Sequence, residues 1–259
     1  MWSLLKRQFE GLSHLRQYVR ELSWSADEYR GLLAKRVESY LDRRDEWGKA
    51  KRYFPLDHTK REIQLIGLIF ADPMPWGGDK RGRHPHQILH TLSRHRPRWL
   101  IELCKEAAKS AVVSGRKKIG LDDITSVLAV FGQQRIDDTI AEFQAQCPQV
   151  GELVSAFSRQ NERYQTDDLI KTIKNRILGG VHPQIVGISG APDAVEIAHF
   201  LFQIGFLTAR RDLSGGHYQH LAYAEAPHLL SDRTNFDDGV SWEIHPVFRQ
   251  VLRLQNVPT

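Results

Sequence analysis

The chain has 259 residues, a net charge of +5, and 41% hydrophobic and 26% charged residues. These proportions exclude a disordered or fibrous chain and leave room for two small domains or one large one. Two cysteines are too few for a disulfide framework, and no apolar run approaches the length of a membrane span, so we expect a cytoplasmic protein without membrane contact.

The first predicted helix follows a charged, amphipathic segment at residues 1–22. Ser25 and Glu28 have the spacing of a capping box, in which each side chain accepts a hydrogen bond from the other residue's backbone N–H. Apolar residues then recur at helical spacing as far as Leu41. Residues 72–83 contain two prolines and three glycines, which predicts an irregular loop.

Four histidines, His84, His86, His90 and His95, follow that loop. His86 and His90 are four residues apart, a spacing that lets two imidazoles share a metal on one helix face. The sequence offers no third ligand at a diagnostic spacing, so we predict no metal site and interpret the region as a basic surface. The predicted surface for an anion or nucleic acid consists of Lys80, Arg81, Arg83, Arg116, Lys117 and Lys118.

The most informative stretch is residues 94–112. Pro97 precedes a predicted helix, and Arg94, Arg96 and Arg98 crowd its N-terminus, where the helix dipole is already positive. A phosphate would offset both the dipole and the guanidinium charges, so we predict that these arginines sense a nucleotide. The alternative is a solvated helix start. The predicted buried stripe comprises Leu100, Ile101, Cys104, Ala107, Ala108, Ala111 and Val112.

The next predicted helix begins at Asp122 and Asp123, another helical segment covers 137–143, and Cys147-Pro148 marks the boundary of the first half. Beyond it, residues 150–157, 167–178 and 192–204 are predicted to be helical. A β-hairpin at 206–211 and 217–223 follows, then a strand and a short helix after Trp242. Three helices and a hairpin are the order of a winged helix.

Whether such a winged helix could read DNA depends on the side chains of its third helix, residues 192–204. Its polar residues are Asp193, Glu196, His199 and Gln203, and the two carboxylates would repel phosphates. We therefore expect nucleic-acid binding to be weak and non-specific, and we favour a helix that packs against protein.

The nonapeptide Arg-Pro-Arg-Trp-Leu-Ile-Glu-Leu-Cys at 96–104 resembles a motif of a bacterial P-loop ATPase family, and its surroundings are similar to the third lid helix of AAA+ and STAND-type ATPases. In this resemblance Arg98 takes the place of the arginine called sensor 2, and residues 119–124 match a later Ile-x-x-x-Asp-Ile segment.

The resemblance implies a mainly α chain in three parts: an edge of the nucleotide-binding core at 1–24, a helical lid at 25–148 and a winged helix at 149–259. It also implies that Arg16 and Arg20 lie near the place where such ATPases present an arginine to a neighbouring subunit. A solvated charged face is the alternative that the residues themselves favour.

The parts of an ATPase active site are missing from the sequence: neither a Gly-x-x-x-x-Gly-Lys-Ser/Thr loop nor an apolar strand that ends in Asp-Asp or Asp-Glu is present. We therefore predict no catalytic residue, and ATP and Mg²⁺ only where a core is supplied upstream or by a partner ATPase subunit. The predicted function is a nucleotide-sensing lid and winged helix of a bacterial AAA+/STAND-like ATPase in a defence or signalling assembly, with further copies of the chain among the expected partners. The alternative is a free-standing winged-helix protein that binds nucleic acid.

Overall fold

The computed structural model describes residues 24–76, 79–213, 218–231 and 237–256, with the backbone alone at Asp79 and Lys80. The predictions for Arg16 and Arg20, for the core edge at 1–24 apart from Trp24, and for the Lys80 side chain lie outside the described residues.

The first half is a set of helices with one small hairpin. The helices are α1 (Ala26–Asp42), α2 (Trp47–Ala50), α3 (His58–Ile66), α4 (Pro85–Leu92), α5 (Pro97–Val113) and α6 (Leu121–Phe143). The predicted capping box of α1 is confirmed: the Ser25 hydroxyl accepts from the Glu28 N–H and the Glu28 carboxylate accepts from the Ser25 N–H.

The loop prediction at 72–83 is wrong. Strands β1 (Met74–Trp76) and β2 (Asp79–Arg83) pair as an antiparallel hairpin, with Met74 opposite Arg83. Pro75 is tolerated because the hairpin has only two strands, so each strand has an edge where a missing N–H costs nothing. Gly82 has a φ of +72° and lies so close to the Met74 carbonyl that a Cβ atom would clash.

Helix α5 begins at Pro97, as the sequence predicts, but its buried stripe is rotated. The buried side chains are Trp99, Leu100, Leu103, Ala107 and Ala111. The predicted stripe omitted Trp99 and Leu103 and included Val112, which is 77% exposed. The observed buried face is rotated about the helix axis from the predicted one by about the angle between neighbouring residues. The sequence allows both, because Leu103 and Cys104, three and four residues after Leu100, each fit a helical spacing.

Helix α6 is continuous over 23 residues, whereas the sequence indicated separate segments near 122 and 137–143. Gly132 at its centre lies against α10 (Pro246–Arg249): a Cβ there would come within 2.5 Å of the Val247 carbonyl oxygen. This glycine lets the two backbones approach closely.

The second half combines short helices with a sheet. The helices are α7 (Val150–Ser155), α8 (Thr166–Ile173), which continues into a π-helical stretch at Lys174–Leu178, and α9 (Ala194–Gln203). The strands are β3 (Arg163–Tyr164), β4 (Leu207–Asp212), β5 (Tyr218–Leu221) and β6 (Ser241–Ile244). They form an antiparallel sheet in the order β3-β6-β4-β5, so the predicted hairpin at 206–223 is present as β4 and β5.

The described residues therefore form a mainly α fold with two small antiparallel sheets. One cluster of buried apolar side chains runs from Tyr29 in α1 to Leu252 after α10, and so includes both halves of the chain. In the part of the chain that the structure describes, no helix has the length and apolarity needed to cross a bilayer.

Candidate functional site

The turn between α4 and α5 positions the three predicted nucleotide-sensing arginines. Helix α4 ends at Ser93 in a Schellman motif: the Arg94 N–H donates to the Thr91 carbonyl at 2.9 Å and the His95 N–H donates to the His90 carbonyl at 3.2 Å. Arg94 and His95 both adopt left-handed backbone conformations, with φ of +50° and +58°. Glycine is the usual residue in this conformation. Two large residues therefore indicate that their side-chain contacts, and not the preference of the backbone, hold the turn in place.

Arg94 connects the two halves of the chain. Its guanidinium donates to the carbonyl oxygen of Ile204, the C-cap residue that follows helix α9. It donates as well to the Thr139 hydroxyl, at 3.4 Å. It also lies over the rings of Trp99 and Phe248, at 5.5 and 5.6 Å. Burial, reinforced by the nearby Arg96 charge, lowers the pKa of Arg94 to about 9. The side chain thus caps the negative end of α9 as a cation that remains charged at neutral pH.

Arg96 is held by a carboxylate and an aromatic face. Both of its terminal nitrogens donate to the Glu142 carboxylate, at 2.7 and 3.1 Å, and its guanidinium lies 4.7 Å from the centre of the Trp99 ring. Arg135 lies 4.6 Å from that ring. Trp99 is therefore the apolar centre of an arginine cluster that Glu142 and Glu102 neutralise in part.

Arg98 has a different environment from Arg94 and Arg96. Its side chain is 85% exposed, and its bond is to Glu102, one turn later, at 3.0 Å. The second oxygen of Glu102 accepts from Arg135 at 2.7 Å. Because Arg135 is 4% exposed and stays with Glu102, Arg98 can leave this pair without leaving the carboxylate unpaired.

Arg135 is a member of this arginine cluster that the sequence interpretation missed. It lies on the buried side of α6, four residues after Phe131, and it bonds Glu102 and Asp138 while stacking on Trp99 and Phe131. The available signal was a charged residue at a position that the helical period places on the core face.

The predicted basic surface is divided among several contacts. Arg83 lies over the Tyr218 ring of β5 at 5.8 Å, and Arg81 is exposed on β2. Arg116 forms an ion pair with the buried Asp123 at 2.9 Å, and the Lys118 ammonium donates to the Gly67 carbonyl. Lys117 is exposed.

The four histidines do not converge. His84 bonds the Asp72 carboxylate at 2.7 Å, and His90 bonds the Trp24 carbonyl at 2.8 Å while stacking on His95. His86 is buried, and its burial, together with the nearby His84 and Arg30, lowers its pKa to about 4. Across the ranges that the structure describes, no three His, Cys, Asp or Glu side chains form a metal-binding group.

Helix α9, the candidate DNA-reading helix, presents its polar face to a cavity. Asp193 and Glu196 form its capping box, and His199 bonds the Leu229 carbonyl at 3.0 Å. Glu196, His199 and Gln203 line a cavity of about 320 Å³ whose other walls are segments 185–188 and 230–231 with Gln146 and Tyr223. Other segments of the chain therefore border the face that would meet a DNA groove.

Comparison with known protein families finds a similarity in the helical half of the chain. Residues 27–140 are similar to a family described as the FunZ-associated C-terminal helical domain. The matched range covers α1 to α5 and most of α6, and lies within the segment 25–148 that the sequence analysis treats as one helical unit. Searches of curated proteins and of solved structures found no significant match.

Proposed function

We propose that this chain is the C-terminal, nucleotide-sensing part of a larger bacterial P-loop ATPase of the AAA+/STAND-like type, and that it acts in a defence or signalling assembly. Residues 25–148 would be the lid and 149–259 a winged helix that packs against protein. ATP and Mg²⁺ would be held by a core upstream or in a partner ATPase subunit, and not by this chain alone.

Two observations support an accessory part rather than a complete enzyme. The helical segment is similar to a family whose description places it at a C-terminus. In the second half α7, α8 and α9 precede the β4–β5 hairpin, an order that supports the proposal of a winged helix. Segments 185–188 and 230–231 border the polar face of α9, and its two carboxylates, Asp193 and Glu196, are unfavourable for DNA, so protein packing is the better-supported role.

The observation that carries the proposal is the exposure of Arg98 beside two arginines that are already engaged. Arg94 is turned towards the Ile204 carbonyl in the second half, and Arg96 bonds Glu142 through both terminal nitrogens, so neither guanidinium is as accessible at the α5 N-terminus as that of Arg98. Arg98 projects from the first turn of α5 and shares its carboxylate with Arg135. A terminal phosphate near the α5 N-terminus would meet an exposed guanidinium and a favourable helix dipole.

The test is the ATPase rate of the natural assembly that contains this chain, purified with wild-type, Arg98→Ala and Arg98→Lys versions. Loss of one charge-assisted phosphate contact, about 1.5–3 kcal/mol, predicts a ten- to hundredfold decrease for Arg98→Ala in turnover or nucleotide affinity. Arg98→Lys should recover part of it, because an ammonium cannot form a bidentate pair.

Arg44→Ala is the matched control, because Arg44 is also exposed and pairs with a nearby glutamate at 3.1 Å. It should leave the rate unchanged. If Arg98→Ala changes neither rate nor affinity, or if it behaves like Arg44→Ala, the sensor proposal is wrong.

A further inference from the structure

A cavity of about 300 Å³ lies between the Arg94–His95 turn and the second half of the chain. We call it the Arg94 cavity. Thr91, Arg94 and His95 line it from the helical half, while Gln203, His220 and His245 are among the polar groups that line it from the other half. Its volume lies at the lower end of the range found for small-molecule sites.

In the described part of the chain, no carboxylate contacts Arg94 directly, and the one that stabilises its charge from a distance, Glu142, is already paired with Arg96. Its two hydrogen bonds go to the Ile204 carbonyl and the Thr139 hydroxyl, both of which are neutral. Among the described residues, no carboxylate forms an ion pair with it, whereas Arg96 and Arg98 each have one. The C-terminal dipole of α9 offsets only about half a charge. Because part of its positive charge stays uncompensated, this partly buried guanidinium would be stabilised by an anion in the space beside it.

His245, which lines the cavity, is a further hydrogen-bond donor. The Nδ1 atom of His245 accepts the Val247 N–H at 3.3 Å, so the neutral ring carries its proton on Nε2, which is a donor. His220 lies 3.2 Å from Glu243, a carboxylate that Arg210 and Arg249 also bond.

The remaining surface of the cavity is largely apolar. Phe202, Leu207 and Tyr223 contribute to its walls. Among the described residues, Glu225 contributes the one carboxylate that lines the cavity. This carboxylate accepts a hydrogen bond from the Ala222 N–H at 2.7 Å. A ligand with an apolar body and a single anionic end fits this distribution better than a free inorganic ion.

The backbone gives an independent observation. Arg94 and His95 are consecutive left-handed residues on the wall of this cavity. Backbone strain of this kind persists at ligand sites, where the side chain is needed in a particular position.

We propose that the Arg94 cavity binds a small organic anion, with its carboxylate or phosphate group against Arg94 and its apolar body against Phe202, Leu207 and Tyr223. This site is separate from the nucleotide contact assigned to Arg98. A ligand there would touch both halves of the chain, and so would favour their present arrangement over any in which they move apart.

The test is calorimetric titration of the purified chain with phenyl phosphate, benzoate and inorganic phosphate. We expect one-to-one binding of at least one organic probe, with inorganic phosphate at least about tenfold weaker. Comparison of phenyl phosphate with benzoate then identifies the preferred anionic group.

Two variants and a control locate the site. Arg94→Gly removes the guanidinium and suits the left-handed backbone, and Ala224→Trp leaves Arg94 in place but fills the cavity from an exposed position. Each should weaken binding at least about tenfold, and Arg44→Ala should change it less than about twofold. If Arg94→Gly does not fold, Ala224→Trp alone decides.

Three outcomes would overturn the proposal: neither organic probe binds at about 10 mM, inorganic phosphate binds as well as phenyl phosphate, or the cavity variants bind like wild type.

Discussion

The left-handed turn at Arg94 makes a quantitative prediction, because backbone preference and side-chain contacts act in opposite directions there. Replacement of Arg94 by Gly loses a charge-assisted hydrogen bond to the Ile204 carbonyl, about 1.5–3 kcal/mol, and cation–π contacts with Trp99 and Phe248, about 0.5–1 kcal/mol each. It relieves about 1–2 kcal/mol of left-handed strain and removes a cation that has no carboxylate partner. The net destabilisation should be about 1–3 kcal/mol.

Arg94→Ala should be about 1 kcal/mol less stable than Arg94→Gly, because alanine loses the same contacts and keeps the unfavourable φ. The measurement is urea unfolding of the purified variants followed by circular dichroism. Each kcal/mol also corresponds to a shift in Tm of about 2–4 °C for a chain of this size.

Arg159 provides the matched control. It has a φ of +59°, it is exposed, and within the described part of the chain its side chain has no hydrogen bond or ion pair. Arg159→Gly should therefore stabilise the protein by about 0.5–1 kcal/mol. If Arg94→Gly also stabilises the protein, the cap on α9 contributes little. An Arg94→Ala variant as stable as Arg94→Gly would refute the argument from strain.

Three other substitutions, the first with a matched control at Gly48, test the packing and the buried charges. Gly132→Ala should cost about 1–3 kcal/mol in urea unfolding, because its Cβ would meet the Val247 carbonyl, whereas Gly48→Ala, with open space around it, should gain about 0.5–1 kcal/mol. The folded pKa of His86 is lowered from 6.5 to about 4, so wild type should lose about 3 kcal/mol relative to His86→Leu as pH falls from 6.5 to 4; parallel curves of stability against pH would contradict this. Burial alone would raise the pKa of Glu243, but its contacts with His220 and two arginines lower it. Glu243→Gln should therefore cost about 3–5 kcal/mol at pH 7, and its deficit should shrink as pH falls below about 4.5; a deficit independent of pH would count against an ionic role.

Local signals in the sequence predicted much of the secondary structure. The capping box at Ser25, the start of α5 at Pro97 and the β4–β5 hairpin follow from residues close in sequence, which are the interactions that short patterns encode. The β1–β2 hairpin was missed because proline and glycine signal a break. These residues do not indicate whether the segments on either side of the break pair with each other as strands.

The candidate site was predicted only in part, for the same physical reason. The crowding of arginines at the start of α5 is visible in the sequence, but their distinct environments are not. Arg94 bonds Ile204 across 110 residues, and Arg96 bonds Glu142 across 46. Contacts at such separations depend on how the helices pack, which no local period specifies. The roles assigned to Arg94, Arg96 and Arg98 as nucleotide sensors remain predictions.

Helix α6 limits where the chain can be cut into fragments without loss of stabilising contacts. It is 23 residues long, which corresponds to about 35 Å, and the segment matched by the helical family ends at residue 140, inside its last turn. A fragment that stops there omits Glu142, the partner of Arg96, and exposes Gly132 where α10 packs. We therefore expect residues 27–140 to be less stable as an isolated fragment than within the whole chain. A fragment extended through α6 to residue 143 should recover the Arg96–Glu142 pair but not the packing of α10.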